Sequence, residues 1–182
     1  MSLLPLQTDR LILRDFVVDD WRATHTYGGD PEVVRYMEWG PNDEATTRAF
    51  IERVVAFQHE QPRRDFELGI TLRAGGELIG GCGFHVSDPQ NRVGWLGYIL
   101  ARKHWGQGYA TETARALLRF GFESFGLHRI WATCDPRNAA SAHVLEKIGM
   151  RREGHLRENK LQRGSWRDSY LYAILEHEEI RD

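Results

Sequence analysis

Trp105-Gly106-Gln107-Gly108-Tyr109-Ala110-Thr111 joins a strand-like segment, Val93 to Leu100, to a strongly periodic helix that runs to about Phe125. Two glycines at such a junction let main-chain N–H groups turn outward with no Cβ in the way. The new helix adds its own unpaired N–H groups and the positive end of its dipole. Donors gathered in this way form a seat for an anion, phosphate or pyrophosphate above all. A plain strand-to-helix turn uses the same residue types, and that alternative stays open on these residues alone.

Three other residues have types suited to chemistry. Asn138 and Ser141 stand three apart at the start of a helix, so both can face one ligand. Either can also cap that helix, and an asparagine has donors and an acceptor enough for both tasks. His85 ends a strand ahead of a loop and titrates where a general base must, although a surface or hydrogen-bonded histidine fits the same pattern. Glu112, in the first turn of the glycine helix, reads as a structural partner of the dipole. Tyr36, Met37 and Trp39 either line an acceptor site or close the core, and the core is the expectation. Cys82 and Cys134 lie in apolar strand-like runs and read as buried, inert thiols. The remaining histidines (His25, His59, His104, His128, His143, His155, His177) have no metal-ligand spacing, so no metal is expected.

The glycine turn is not a P-loop, because it has no GxxxxGK[ST] spacing and no lysine to reach a γ-phosphate. Nor is it a dinucleotide fingerprint: it lies past mid-chain, and no acidic residue closes a following strand to hold a ribose. A phosphate-bearing ligand that is neither hydrolysed nor a hydride carrier remains. With 182 residues, 41% hydrophobic and 27% charged, the chain is sized for one soluble domain, expected over residues 1–182. A net charge of −2 gives no argument for a nucleic-acid or membrane partner. The loose group Arg151, Arg152, Arg157, Lys160, Arg163 and Arg167 reads as a solvated face in preference to a seat for an acidic partner. No apolar run is long enough to span a bilayer, and Met1-Ser2-Leu3-Leu4-Pro5 lacks the features of a leader, so the cytoplasm is the expected location.

The elements that must position these residues follow from period and punctuation. Leu11 to Phe16 reads as a first strand, and Asp19-Asp20-Trp21 to Tyr27 as a short helix capped by its acidic residues. A second helical piece is expected around Val33 to Met37, and a longer helix from Asn42-Asp43-Glu44 to Phe57. Phe66 to Leu72 and Glu77 to His85 form a hairpin around Ala74-Gly75-Gly76, followed by a turn at Asp88 to Asn91. Val93–Leu100, the helix after Gly108, and Arg129–Cys134 then form a strand, helix, strand unit, implying a parallel pair. A helix from Asn138 to Ile148 ends at Gly149, and late strands are expected around Met150 to Gly154 and Ser169 to Leu175. The fold class is α/β (α+β mixed).

In these motifs the chain resembles the GNAT superfamily of coenzyme A-dependent N-acyltransferases, and within it the Rim-type branch of ribosomal-protein N-terminal alanine acetyltransferases. The family's Gln/Arg-x-x-Gly-x-Gly/Ala pyrophosphate motif falls on Trp105 to Ala110, with Trp105 in place of the usual Gln/Arg. Leu6 to Arg14, Gly97-Tyr98, Asn138 to Ser141 with Leu145 to Met150, and Glu153 to Arg157 with Asp168 extend the likeness over residues 6–175. The resemblance implies one GNAT-type domain: a mostly antiparallel sheet with one splayed parallel pair and helices on both faces. It implies acetyl-coenzyme A as co-substrate and no metal. Its pyrophosphate would lie on Trp105, Gly106, Gln107, Gly108, Tyr109, Ala110 and Thr111. Pantetheine would lie along free main-chain groups of Ile99 and Leu100 beside Tyr98, with Asn138 and Ser141 nearby.

The implied reaction is direct attack of a primary amine on the thioester. Where many relatives carry a tyrosine to protonate the leaving thiolate, this chain has Leu145, so Ser141 is the expected donor, His85 the candidate base, and a main-chain N–H near Leu100 the carbonyl's partner. Deprotonating the acceptor at neutral pH costs about 1.4 kcal/mol for an α-amine and about 4.6 for lysine, at roughly 1.36 per pKa unit. The acceptor is a protein N-terminus or a small-molecule amine, and the assembly a monomer or homodimer. The missing tyrosine also leaves room for a non-catalytic coenzyme A-binding sensor or interaction module. A nucleotide-binding protein of another class would explain the glycine turn but not Asn138 and Ser141.

Overall fold

Alternating burial builds the sheet of this protein, a computed structural model of which describes residues 3–181. Met1 and Ser2, part of the segment read as lacking a leader, lie outside the described residues. In β2 (Leu11–Asp15) Leu11 and Leu13 are fully buried, whereas Ile12 and Arg14 are only partly so. β6 (Arg129–Cys134) buries Ile130, Ala132 and Cys134 by the same period of two. With β1 (Leu6–Gln7), β3 (Asp65–Leu72), β4 (Leu78–Asp88), β5 (Val93–Leu100), β7 (Arg151–Gln162) and β8 (Ser165–Leu175), they form one sheet in the order β1-β2-β3-β4-β5-β6-β8-β7. Every neighbouring pair is antiparallel except β5 and β6.

Helices cover both faces. On one, α3 (Tyr109–Phe125) and α4 (Ala139–Lys147) bury Leu117, Leu118 and Leu145 against Phe66, Phe84, Leu96 and Leu100. Phe66, Phe84, Phe120 and Phe125 meet edge to face or tilted there, with ring centroids 5.2 to 6.4 Å apart. On the other face lie α1 (Trp21–Gly28) and α2 (Glu44–Phe57), packed through Phe16, Trp21, Ile51 and Val54. Asp43 caps α2 by accepting from Thr46 N at 2.7 Å.

Three expectations need correction. The acidic residues before α1 do not cap it: they lie in or next to a 3₁₀ turn (Val18–Asp20), and the Asp20 carboxylate binds Arg14 at 2.7 and 2.9 Å and Val17 N at 2.8 Å. Val33 to Met37 is not helical. Gly28-Gly29 and Gly40-Pro41 confine it to isolated turns such as Met37 N to Val34 O. The late strands are far longer than expected. β7 is largely polar and exposed, β8 is apolar and buried only toward its C-terminal end, and two register shifts, between Arg152 and Gly154 and between Leu156 and Lys160, break the alternation that would reveal the pair. Among the described residues no helix is long and apolar enough to cross a membrane.

Candidate active site

The parallel pair opens at one end. β5 and β6 pair at Val93↔Arg129, Gly94↔Ile130 and Trp95↔Trp131, and no further. Beyond that point β5 stays on β4 as far as Leu100, and β6 stays on β8 as far as Cys134. Two indoles, Trp95 and Trp131, stand 6.0 Å apart at the last paired position. Register decides which groups face the resulting gap. Ala101 N donates to Ile79 O at 2.9 Å, so alternation also turns the N–H and C=O of Ile99 toward β4. The expectation for Ile99 therefore fails by one residue. Tyr98 and Leu100 are the pair that faces β6, and the Leu100 carbonyl already accepts from Trp105 Nε1 at 2.8 Å. Trp105 thus braces the turn against the strand end. Tyr98 N–H and C=O and Leu100 N–H have no strand partner on that side among the described residues.

The glycine turn follows directly. After a 3₁₀ turn (Arg102–His104), Gly106 and Gly108 have φ of +72° and +81°, left-handed values that favour glycine. Gly108 is the N-cap of α3 and supplies no side-chain cap. The helix ladder opens with Glu112 N to Gly108 O at 3.0 Å, which leaves the N–H groups of Gly106 to Thr111 without a partner among the described residues. Arg10 lies against this turn, a position the sequence reading missed. It donates to Gln107 O at 2.9 Å and stacks 4.6 Å above the Tyr109 ring. Only its place in the opening Rim-like motif hinted at it, because the contact spans 97 residues. Glu112 holds the arrangement by accepting from Thr8 Oγ1 at 2.6 Å and from Arg10 N and Nε at 2.9 and 2.7 Å. Burial works against its charge, but these donors hold the carboxyl below the ordinary glutamate range.

On the α4 face, Asn138 Oδ1 accepts from Ser141 N at 3.2 Å, so the asparagine caps the helix. Ser141 Oγ lies 3.2 Å from Tyr98 OH. Burial pushes the Tyr98 phenol well up, against the opposing effect of Ser141, so both hydroxyls keep their protons at neutral pH. Leu145 is buried in the core.

His85 sits on the opposite face, opposite Trp95 in register and stacked on its ring at 3.8 Å. Nδ1 lies 2.6 Å from Asp65 Oδ1, and Nε2 lies 3.1 Å from Glu67 Oε1, off hydrogen-bond geometry. Burial disfavours the imidazolium, yet Glu67 and Asp65 outweigh it and raise the pKa above the ordinary histidine value. The structure therefore does not bring His85 and Ser141 together; the sheet separates them, one on each side of the gap.

Neither cysteine is poised for chemistry. Burial raises Cys82 well above a normal thiol and pushes Cys134 up to about 11. Cys134→Ala is accordingly expected to leave turnover unchanged in a steady-state assay, with no acyl-enzyme detectable by intact mass in either form. Trp39 is 41% exposed, so it does not close the core as expected. Among the described residues no group of three or more His, Cys, Asp or Glu side chains could hold a metal.

Residues 10–151 match the model of an acetyltransferase (GNAT) domain. The chain is 30% identical over 179 residues to the [ribosomal protein uS5]-alanine N-acetyltransferase of Escherichia coli, covering 93% of this chain and 89% of that one. It superposes on the acetyltransferase (GNAT family) from Bacillus anthracis with a TM-score of 0.84 at 35% identity, over 95% and 99% of the two chains. Mycobacterium smegmatis RimJ in complex with CoA-disulfide gives a TM-score of 0.80 at 28% identity, over 91% of this chain and 81% of that one.

Proposed function

The chain belongs to the GNAT family and is an acetyl-coenzyme A-dependent acetyltransferase, and from that premise we propose that its acceptor is the α-amine of a protein N-terminus. One observation carries the reading of the site: free amides from Gly106 to Thr111 adjoin a strand edge that opens immediately after Trp95 and Trp131. A diphosphate suits the first feature and an amide-bearing arm suits the second. Residues 1–182 act in this reading as one acetyltransferase domain.

Acetyl-coenzyme A supplies the acetyl group as an activated thioester. The chain's part is to hold it and to manage protons. Main-chain N–H groups of Gly106 to Thr111, with Arg10 beside them, bind the diphosphate. Tyr98 N–H and C=O hold the pantetheine amides, and Leu100 N–H faces the carbonyl oxygen on which negative charge develops. His85 accepts the proton of the attacking amine through water, as an imidazole whose pKa Glu67 and Asp65 raise above the ordinary histidine value. Ser141, held against Tyr98 OH, returns a proton to the departing sulfur.

A thiol leaves well without much help, since it titrates near ~8.5. Ser141→Ala is therefore expected to lower kcat only about 10-fold, short of the roughly 10²–10⁴ of a full general acid, with the Kd for coenzyme A unchanged. An α-amine acceptor suits an imidazole base, because lysine must lose a proton held about 3 kcal/mol more tightly. The uS5 relative, named for an alanine acceptor, supports the same choice. The test is thiol release from acetyl-coenzyme A with N-terminal peptides, lysine, polyamines and aminoglycosides. Peptides acetylated on the α-amine are expected. Release with lysine side chains or polyamines alone would overturn the acceptor, and slow release with none of these amines, despite tight coenzyme A binding, would favour a coenzyme A-binding module.

A further inference from the structure

A second concavity, of about 280 Å³, lies among Arg35, Tyr36, Arg137, Gln162, Arg163 and Arg167. Three parts of the chain meet there: the turns after α1, the β6–α4 connection and the tip of the β7–β8 hairpin. Of the six basic residues read from sequence as a solvated face, only Arg163 and Arg167 line it. Arg151 pairs with Glu178 and Arg152 stacks on Tyr170.

The charges in the pocket do not cancel. Arg35 pairs with Glu32 at 2.5 Å and Arg137 with Asp135 at 2.5 Å. Arg163 donates to the uncharged carbonyls of Gly40 at 2.8 Å and Val34 at 3.1 Å. Among the described residues Arg167 forms no ion pair, although its charge helps to hold Asp135 in its ionised form, and its buried Nε has no hydrogen-bond partner. Four guanidinium groups thus share two carboxylates, one guanidinium has an unmet buried donor, and the guanidinium fork matches an oxyanion.

The pocket borders the gap between β5 and β6. Arg137 directly precedes the α4 cap Asn138, and Tyr36 OH donates to Arg137 O at 3.1 Å. Arg167 lies opposite Lys160, whose Nζ is 3.2 Å from Thr133 Oγ1 on the stretch of β6 beyond its pairing with β5. We propose that this pocket is an anion subsite for the acceptor, seating a carboxylate carried a few residues from the peptide's amino terminus. The inference rests on the N-terminal acceptor proposed above and narrows it: the enzyme selects acidic N-terminal sequences and disfavours polycationic amines.

The test compares a peptide carrying Asp or Glu at its second to fourth positions with its Asn/Gln isostere, by calorimetry in the presence of coenzyme A and by turnover. The acidic peptide is expected to bind about 10-fold more tightly. Arg167→Gln should remove that advantage through KM, leave kcat and the neutral peptide unaffected, and be partly rescued by Arg167→Lys. Equal binding of the two peptides, or an equal loss for both in Arg167→Gln, would overturn the subsite. The two ideas fail differently. Acidic peptide bound through Arg167 but never acetylated would sink the N-terminal acceptor and keep the subsite. Both peptides acetylated alike would do the reverse.

Discussion

Gly108→Val is expected to weaken coenzyme A binding roughly thirty-fold or more, the largest loss of affinity from any single substitution in the glycine turn. A valine at φ +81° carries strain of about 1–3 kcal/mol that the present backbone avoids. Its Cβ would also stand 3.3 Å from Arg10 Nη2, disturbing a cation beside the seat. Relief comes only by rotating the peptide, which points the amides of residues 106–111 elsewhere. At about 1.4 kcal/mol per tenfold, a 2 kcal/mol penalty predicts that loss. Calorimetric titration with coenzyme A reads it, alongside a melting curve to show that the domain is intact. Unchanged affinity in a folded variant would remove the turn from the binding site.

His85→Gln is expected to reduce kcat about 100-fold at neutral pH while leaving the Kd for coenzyme A unchanged. Its pH profile carries the sharper signature. The base must be neutral, so wild-type kcat/KM rises with pH through a pKa above the ordinary histidine value of about 6.5. In His85→Gln that limb disappears. Stability runs the other way. A histidine whose folded pKa is raised stabilises the fold fully below its unfolded pKa, and that contribution is lost as pH rises through the folded value. Melting measurements across that interval should therefore show wild type losing stability relative to His85→Gln as activity rises. A wild-type profile flat across it would exclude His85 as the base.

The sequence was most legible where period and punctuation agreed. α2, α3 and α4 lie within a residue or two of their expected bounds, because Asp43, Gly108 and Asn138 mark their starts and their apolar stripes fill the core. The β7–β8 hairpin was legible only in its core-facing parts, since the exposed polar length of β7 with its shifted register carries no period. At the site, local motifs found the turn at Gly106 to Thr111 and the Asn138–Ser141 helix start. Ile99 was misassigned because a one-residue difference in register reverses which strand a main-chain amide faces. Arg10, Glu67 and the pocket around Arg167 escaped because each depends on contacts across folded distance.

The opening between β5 and β6 also gives the sheet a margin in its interior as well as at its rim. Margins of this kind invite a foreign chain to add itself and propagate. At the rim, β7 carries Arg151, Arg152, Glu153, Arg157, Glu158 and Lys160 and is bent by two irregularities, which together deter such accretion. The interior margin is only Leu96 to Leu100 long and ends where Trp105 takes the last carbonyl. A short recess of that size suits a slender amide-bearing arm and excludes a full strand, so the protein keeps a hydrogen-bonding edge available without becoming a template for aggregation.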